Sequence, residues 1–233
     1  MRTFIALLLK EEQAIFTSPI AYVVLSVFLI IMGYTFTLTL FVSHVPTLVH
    51  LFFQIYVLFL LTVPIITMRL VAEERRLRTI EILLSAPVSE ARVVFAKYLA
   101  SMSLVLLMLV LSGAYAIALG VLGQPDWGPI YSGYLGLALL GAALVAVGLL
   151  TSSMVSNQVI AALLSLSLFL LLWIIDNFGW MLPDPFNALV VNLSLLVHFT
   201  PFATGSIFLS DAGFFVSVAL LGLFFSVRAM ARR

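Results

Sequence analysis

Apolar residues in this chain run in blocks of about 20, the length that carries an α-helix across the hydrocarbon of a bilayer. Six such blocks fall at about 19–41, 51–68, 98–121, 130–150, 159–175 and 212–227. Turn and cap chemistry separates them. Ser18 precedes Pro19, a capping residue followed by the residue best suited to a first helical position. Pro64 lies inside the second block and predicts a kink. Ser89 and Glu90 open the third. A turn-rich loop at 123–129 follows, with Trp127 suited to a membrane interface, and polar residues 151–158 form a hinge. The fourth block is rich in small residues (Gly133, Gly136, Gly141, Ala142, Ala143), which lets helix backbones approach closely. The expected fold is all-α: a polytopic membrane protein with six transmembrane helices in a single domain over 1–233.

Two further stretches depart from the block pattern. Residues 1–17 place Phe4, Leu7, Leu8 and Ile15 on one helical face, with Lys10, Glu11 and Gln13 elsewhere. This predicts an amphipathic helix lying along the membrane surface. In residues 177–211, an apolar run from 186 to 209 is interrupted by Asn192, His198 and Pro201. The helical piece before Pro201 is too short to span, so a re-entrant or surface-lying helical pair is expected.

Composition agrees: 64% of residues are hydrophobic, 9% are charged and the mean hydropathy is +1.24. The net charge of +1 gives no sign of a nucleic-acid partner. There is no cysteine, hence no disulfide and no thiolate site. Charge placement predicts topology. With six spans, all eleven Lys and Arg residues fall on one side, which the positive-inside rule makes cytoplasmic. Both termini then face the cytoplasm, and Asp126, Asp176, Asp184 and Asp211 face outward.

No ionisable residue lies near the middle of a span, which argues against an ion-coupled transporter or proton pump. Candidate pathway-lining groups are the hydroxyls of Thr35, Thr39, Thr62, Thr67, Ser165 and Ser167, each of which also suits bonding to its own helix backbone. His44, His50 and His198 show no metal-ligand spacing. No GxxxxGK(S/T) loop is present, so no cofactor is expected in this chain.

Residues 69–97 hold six of the eleven basic residues and four of the six Glu. From 72 to 86 they read as a short amphipathic helix, with Leu77, Ile80 and Leu84 in one stripe and Glu74–Arg78 as an i,i+4 pair. Two functions compete. One is docking into a groove on a cytoplasmic partner. The other is catalysis, because Glu73, Glu74 and Arg78 match the EExxxR motif of CAAX-type intramembrane proteases. That family's FxxxH motif is absent: Leu40, Pro46 and Ser194 stand four residues before the three histidines.

Three places together resemble the permeases of ABC type-2 transporters, including small six-span permeases linked to gliding motility or multi-copper-enzyme maturation. They are Glu73 to Pro87 with Thr79-Ile80-Glu81, Ser152-Ser153 before Asn157-Gln158, and His198-Phe199 through Gly205 to Asp211. Arg78 departs from the pattern where glycine is common, and Thr204 where arginine is common. The resemblance implies an ATP-driven exporter. The permease would pair with a second copy or homologue and with cytoplasmic ABC ATPases that bind ATP and Mg. A coupling helix at 72–86 would dock through Glu73, Glu74, Arg75, Arg76, Arg78, Thr79, Glu81 and Pro87. A scaffold that transmits ATPase motion without transport is the remaining alternative.

Overall fold

The computed structural model describes residues 2–43, 47–79, 89–179, 183 and 186–231. Every regular element among them is an α-helix: α1 (Arg2–Phe16), α2 (Pro19–Ser43), α3 (Val49–Thr67), α4 (Ala72–Arg76), α5 (Glu90–Leu122), α6 (Trp127–Met154), α7 (Gln158–Gly179), α8 (Phe186–Val191), α9 (Leu195–Thr204) and α10 (Leu209–Ala231). Six of these, α2, α3, α5, α6, α7 and α10, are long and apolar enough to cross a membrane. They match the six expected blocks.

Several boundaries move for identifiable reasons. Helix α6 begins at Trp127 because the Asp126 side chain accepts a hydrogen bond from the Gly128 amide at 3.0 Å, capping it earlier than hydropathy suggested. Helix α5 begins at Glu90, before its apolar block, because its first turns bury Val93, Val94 and Ala96 among the helices at that end. Helix α6 continues through Ser152 and Ser153, so the hinge narrows to 155–157, where Asn157 Oδ1 accepts from the Val159 amide at 2.9 Å.

Helix α6 is the centre of the bundle. It packs most extensively on α10 and also meets α3, α5, α7 and α9. Its small residues work in two ways. At Gly136 an added Cβ would stand 2.5 Å from Phe202 Cβ, so this glycine makes a slot for a side chain. The closest approach of backbones lies elsewhere: a Cβ on Gly222 of α10 would meet the carbonyl carbon of Ala146 at 2.9 Å. Dispersion at such contacts holds helices together in lipid, where apolar burial gives little net drive.

Helices α8 and α9 form the expected short pair before the last span. Helix α9 has ten residues, about 15 Å at the α-helical rise, too little for a seventh crossing. Ser194 caps it and Gly205 ends it at φ 101°, a left-handed conformation suited to glycine. Phe199 lies against Tyr56, with ring centroids 5.3 Å apart, and Ser132 donates to the Phe202 carbonyl at 2.8 Å. His198 stacks on Phe214 at 4.0 Å and sets Nδ1 2.8 Å from Asp211 Oδ1 and Nε2 3.0 Å from the Asn192 carbonyl. Both neighbours accept, so the arrangement needs protons on both ring nitrogens or one on Asp211.

Helix α1 differs from expectation on one face. Leu7 is buried as predicted, but Glu11, expected on the polar side, is 6% exposed. Four residues apart, the two point the same way, and α1 packs that face along α5. A buried cation on α5 explains why a carboxylate belongs there.

Candidate functional site

That cation is Lys97, 1% exposed near the start of α5. Its Nζ lies 2.8 Å from Glu74 Oε1 and 3.0 Å from Glu11 Oε2. Lys10 adds a second ammonium 3.3 Å from Glu11 Oε1. One network therefore joins α1, α4 and α5. Buried charges at this spacing persist only when paired and hydrogen-bonded.

Helix α4 is held from two more directions. Its N-terminal amides lack a cap from their own segment, and Ser152 of α6 supplies one. The Ser152 hydroxyl accepts from the Val71 and Ala72 amides, each at 3.2 Å, and donates to the Met68 carbonyl at 3.2 Å. Arg75 donates from a terminal guanidinium nitrogen to the Ala229 carbonyl at the end of α10, at 2.8 Å. Side chains from α1, α5 and α6 and a backbone carbonyl from α10 thus converge on α4 and its N-terminal end.

Helix α4 stops at Arg76, Arg78 has φ 57° and Thr79 is helical again. The helix expected over 72–86 is therefore interrupted at 77–78, and its part from 80 to 86 lies outside the described residues. The Glu74–Arg78 pair is also replaced, because Glu74 turns inward to Lys97 while Arg78 lies beyond the helix end. The left-handed backbone accounts for the glycine common at position 78 in the pattern this chain resembles, since a side chain there costs about 1 kcal/mol. Arg78→Gly is accordingly expected to raise stability by about 1 kcal/mol, read as a higher unfolding midpoint in detergent. No change, or a fall, would show that Arg78 makes compensating contacts.

Of the residues proposed for docking, Glu73 is half-buried, Glu74 and Arg75 are engaged inward, and Arg76, Arg78 and Thr79 are exposed, as is Leu77 between them. Glu81 and Pro87, with Ile80 and Leu84 of the stripe, lie outside the described residues, as does His44. Thr35, Thr39, Thr62, Thr67 and Ser165 each donate to a carbonyl four residues earlier on their own helix, and Ser167 is exposed.

Among the described residues the protease geometry is not assembled. Ser152 beside α4 and Ser132 beside α9 are separated by twenty positions of α6, which puts His198 about 30 Å from Glu73 and Glu74. A family model described as "ABC-2 family transporter protein" matches residues 45–227, from before α3 to within α10. The chain belongs to the ABC-2 family of transporter proteins. It is a multi-pass membrane protein and the permease component of an ABC transporter. A comparison with curated proteins returned no match. The match over this ABC-2 permease includes α4, Lys97 and Ser152 and leaves out α1.

Sequence reading passed over Lys97, Glu11 and Ser152 as parts of one site. Lys97 looked like a residue flanking a span, and Ser152 like part of a hinge. The available signal was the i,i+4 placement of Leu7 and Glu11, which puts a carboxylate on an apolar face.

Proposed function

We propose that this ABC-2 permease serves an exporter in which cytoplasmic ATPase subunits, binding ATP and Mg, dock on the segment that starts at α4. The supporting observation is the division of labour in that segment. Glu74, Arg75 and the α4 amides are tied to α1, α5, α6 and α10, while Arg76, Leu77, Arg78 and Thr79 face outward. A push on the exposed side chains is passed directly to helices of the bundle. The described basic residues gather at this same end, whereas Asp126 and Asp211 lie at the other. By the positive-inside rule the docking face is cytoplasmic, with both termini on that side and α1 along the surface of the inner membrane. A second permease copy or homologue would complete the pathway. ATP binding then closes the paired ATPases, and hydrolysis resets them.

The test is recovery of the tagged, full-length chain from its native membrane. A phosphate-loop ATPase should co-elute with it. Arg76→Glu, which reverses an exposed charge without touching the anchoring bonds, should lower the amount recovered by roughly tenfold. Equal recovery with Arg76→Glu would remove the docking role from this segment.

A further inference from the structure

Beside the Lys97 network a cavity of about 260 Å³ opens between α1, the start of α2, the end of α3 and α4. One part of its wall is apolar: Ile20, Ala21, Ile65 and Ile66, from the ends of two spans. The rim is charged, and the charges are only partly matched. Lys10, Glu11 and Lys97 are paired with one another or with Glu74 Oε1. Arg69 and Glu73 also line the cavity, and among the described residues neither has an ion-pair partner. Arg69 donates one bond at 3.4 Å to Ser18 Oγ, but its Nε is buried without an acceptor. Glu74 Oε2 is buried without a donor. Such groups are costly to leave unmet.

A ligand that satisfies this rim carries an anion for Arg69 and a hydrogen-bonding cation for Glu73 and Glu74 Oε2, joined to an apolar part for the span ends. We propose that the cavity binds a phospholipid whose headgroup has a phosphate and a primary ammonium. The phosphate meets the Arg69 guanidinium, whose fork of donors suits phosphate oxygens. The ammonium donates to Glu73 and to Glu74 Oε2. The acyl chains leave past Ile65, which is 39% exposed on the outer side of α3. The balanced rim disfavours a purely anionic headgroup, which would leave the two glutamates unmet. A trimethylammonium headgroup has the right charge but no N–H to donate. A lipid held there would bridge α2 and α3 to α4. The inference requires only a membrane around the chain, so it stands or fails independently of ATPase docking.

The experiment uses the full-length protein, extracted in mild detergent with whatever subunits accompany it. It is offered equal amounts of phosphatidylethanolamine, phosphatidylcholine and phosphatidylglycerol with identical acyl chains. Retained lipid is read by native mass spectrometry. The ethanolamine lipid should be retained roughly fivefold over either competitor, the ratio expected for one additional charge-assisted hydrogen bond. Glu73→Gln should bring it down towards the phosphatidylglycerol level, and Arg69→Gln should reduce retention of all three. Soluble phosphoethanolamine at matched concentration should not displace the lipid. Equal retention of the three lipids by the unaltered protein, or a preference for phosphatidylglycerol, would overturn the proposal. Displacement by phosphoethanolamine would assign the site to a soluble phosphomonoester and also overturn it.

Discussion

Replacing Lys97 with methionine should destabilise the protein by about 3 kcal/mol, because removing one partner from a buried charge network leaves the others uncompensated. Among the described residues, Lys97 is the only group joined to both Glu11 and Glu74 at 3.0 Å or less, and its side chain is 2% exposed. Methionine fills similar volume, so the loss isolates charge from packing. For a chain of this length the shift is roughly 6–12 °C in unfolding midpoint, measured in detergent. Combining Lys97→Met with Glu11→Gln should recover part of the loss, since one stranded carboxylate disappears. Lys10→Met is the control. With 58% of its side chain exposed, Lys10 should cost no more than about 0.5 kcal/mol. If Lys97→Met cost no more than this control, the network would contribute no net stabilisation, and α4 would be held by Ser152 and Arg75 alone.

The expected result bears on function because Lys97 joins the segment proposed for docking to two other helices. A weakened Lys97–Glu74 bond should let α4 move apart from α5, so transport coupled to ATP turnover should fall even where the folded protein survives. The Arg76→Glu variant breaks coupling from the opposite side, by removing the partner rather than the anchor. The two defects therefore separate in co-purification: Lys97→Met retains the ATPase and Arg76→Glu releases it.

What could be read from the chain was set by how local each signal is. Spans rest on contiguous apolar length, so all six were legible. The short pair before the last span was legible from Asn192, His198 and Pro201, which break an otherwise sufficient apolar run. Side-chain caps at Ser194 and Asp126 set helix starts by local chemistry alone, whereas Ser89, expected to cap the third span, makes no side-chain cap bond, and α5 starts at Glu90 through burial against its neighbours. The site was less legible because its bonds cross the chain. Lys97 reaches Glu11 over 86 positions, and Ser152 reaches Ala72 over 80. A helical wheel places Glu11 on the face of Leu7 and Ile15, but nothing nearby in sequence announces the buried lysine that holds it there. The break at 77–78 within the helix expected over 72–86 was illegible for a different reason. Helical periodicity in Leu77 and Glu74–Arg78 says which face is apolar, not whether the backbone continues, and the positive φ at Arg78 interrupts it. The departure from glycine at that position was visible in the sequence; its meaning required the backbone.

Small residues were legible as close packing but not as to partner, and this separates two outcomes at glycine. On α10, Gly222→Ala should cost about 3 kcal/mol, while Gly213→Ala on the same helix should gain about 0.5 kcal/mol. An added Cβ at Gly213 meets nothing within 4 Å, so only the helix propensity gain remains. At Gly222 the obstacle is the Ala146 carbonyl carbon at 2.9 Å and its oxygen at 3.1 Å. A backbone cannot rotate aside as a side chain does, so α6 and α10 must separate, and the most extensive helix pair in the bundle loses its dispersion contacts. Adding Ala146→Gly should restore less than half of the loss, because it removes the Ala146 Cβ at 3.1 Å but leaves the carbonyl in place. Full restoration would mean that the methyl, not the backbone, sets the helix spacing. Unfolding midpoints of the three variants decide this. A separated α10 would also withdraw the Ala229 carbonyl from Arg75, so Gly222→Ala should weaken the hold on α4 from a position seven residues before that contact on the same helix.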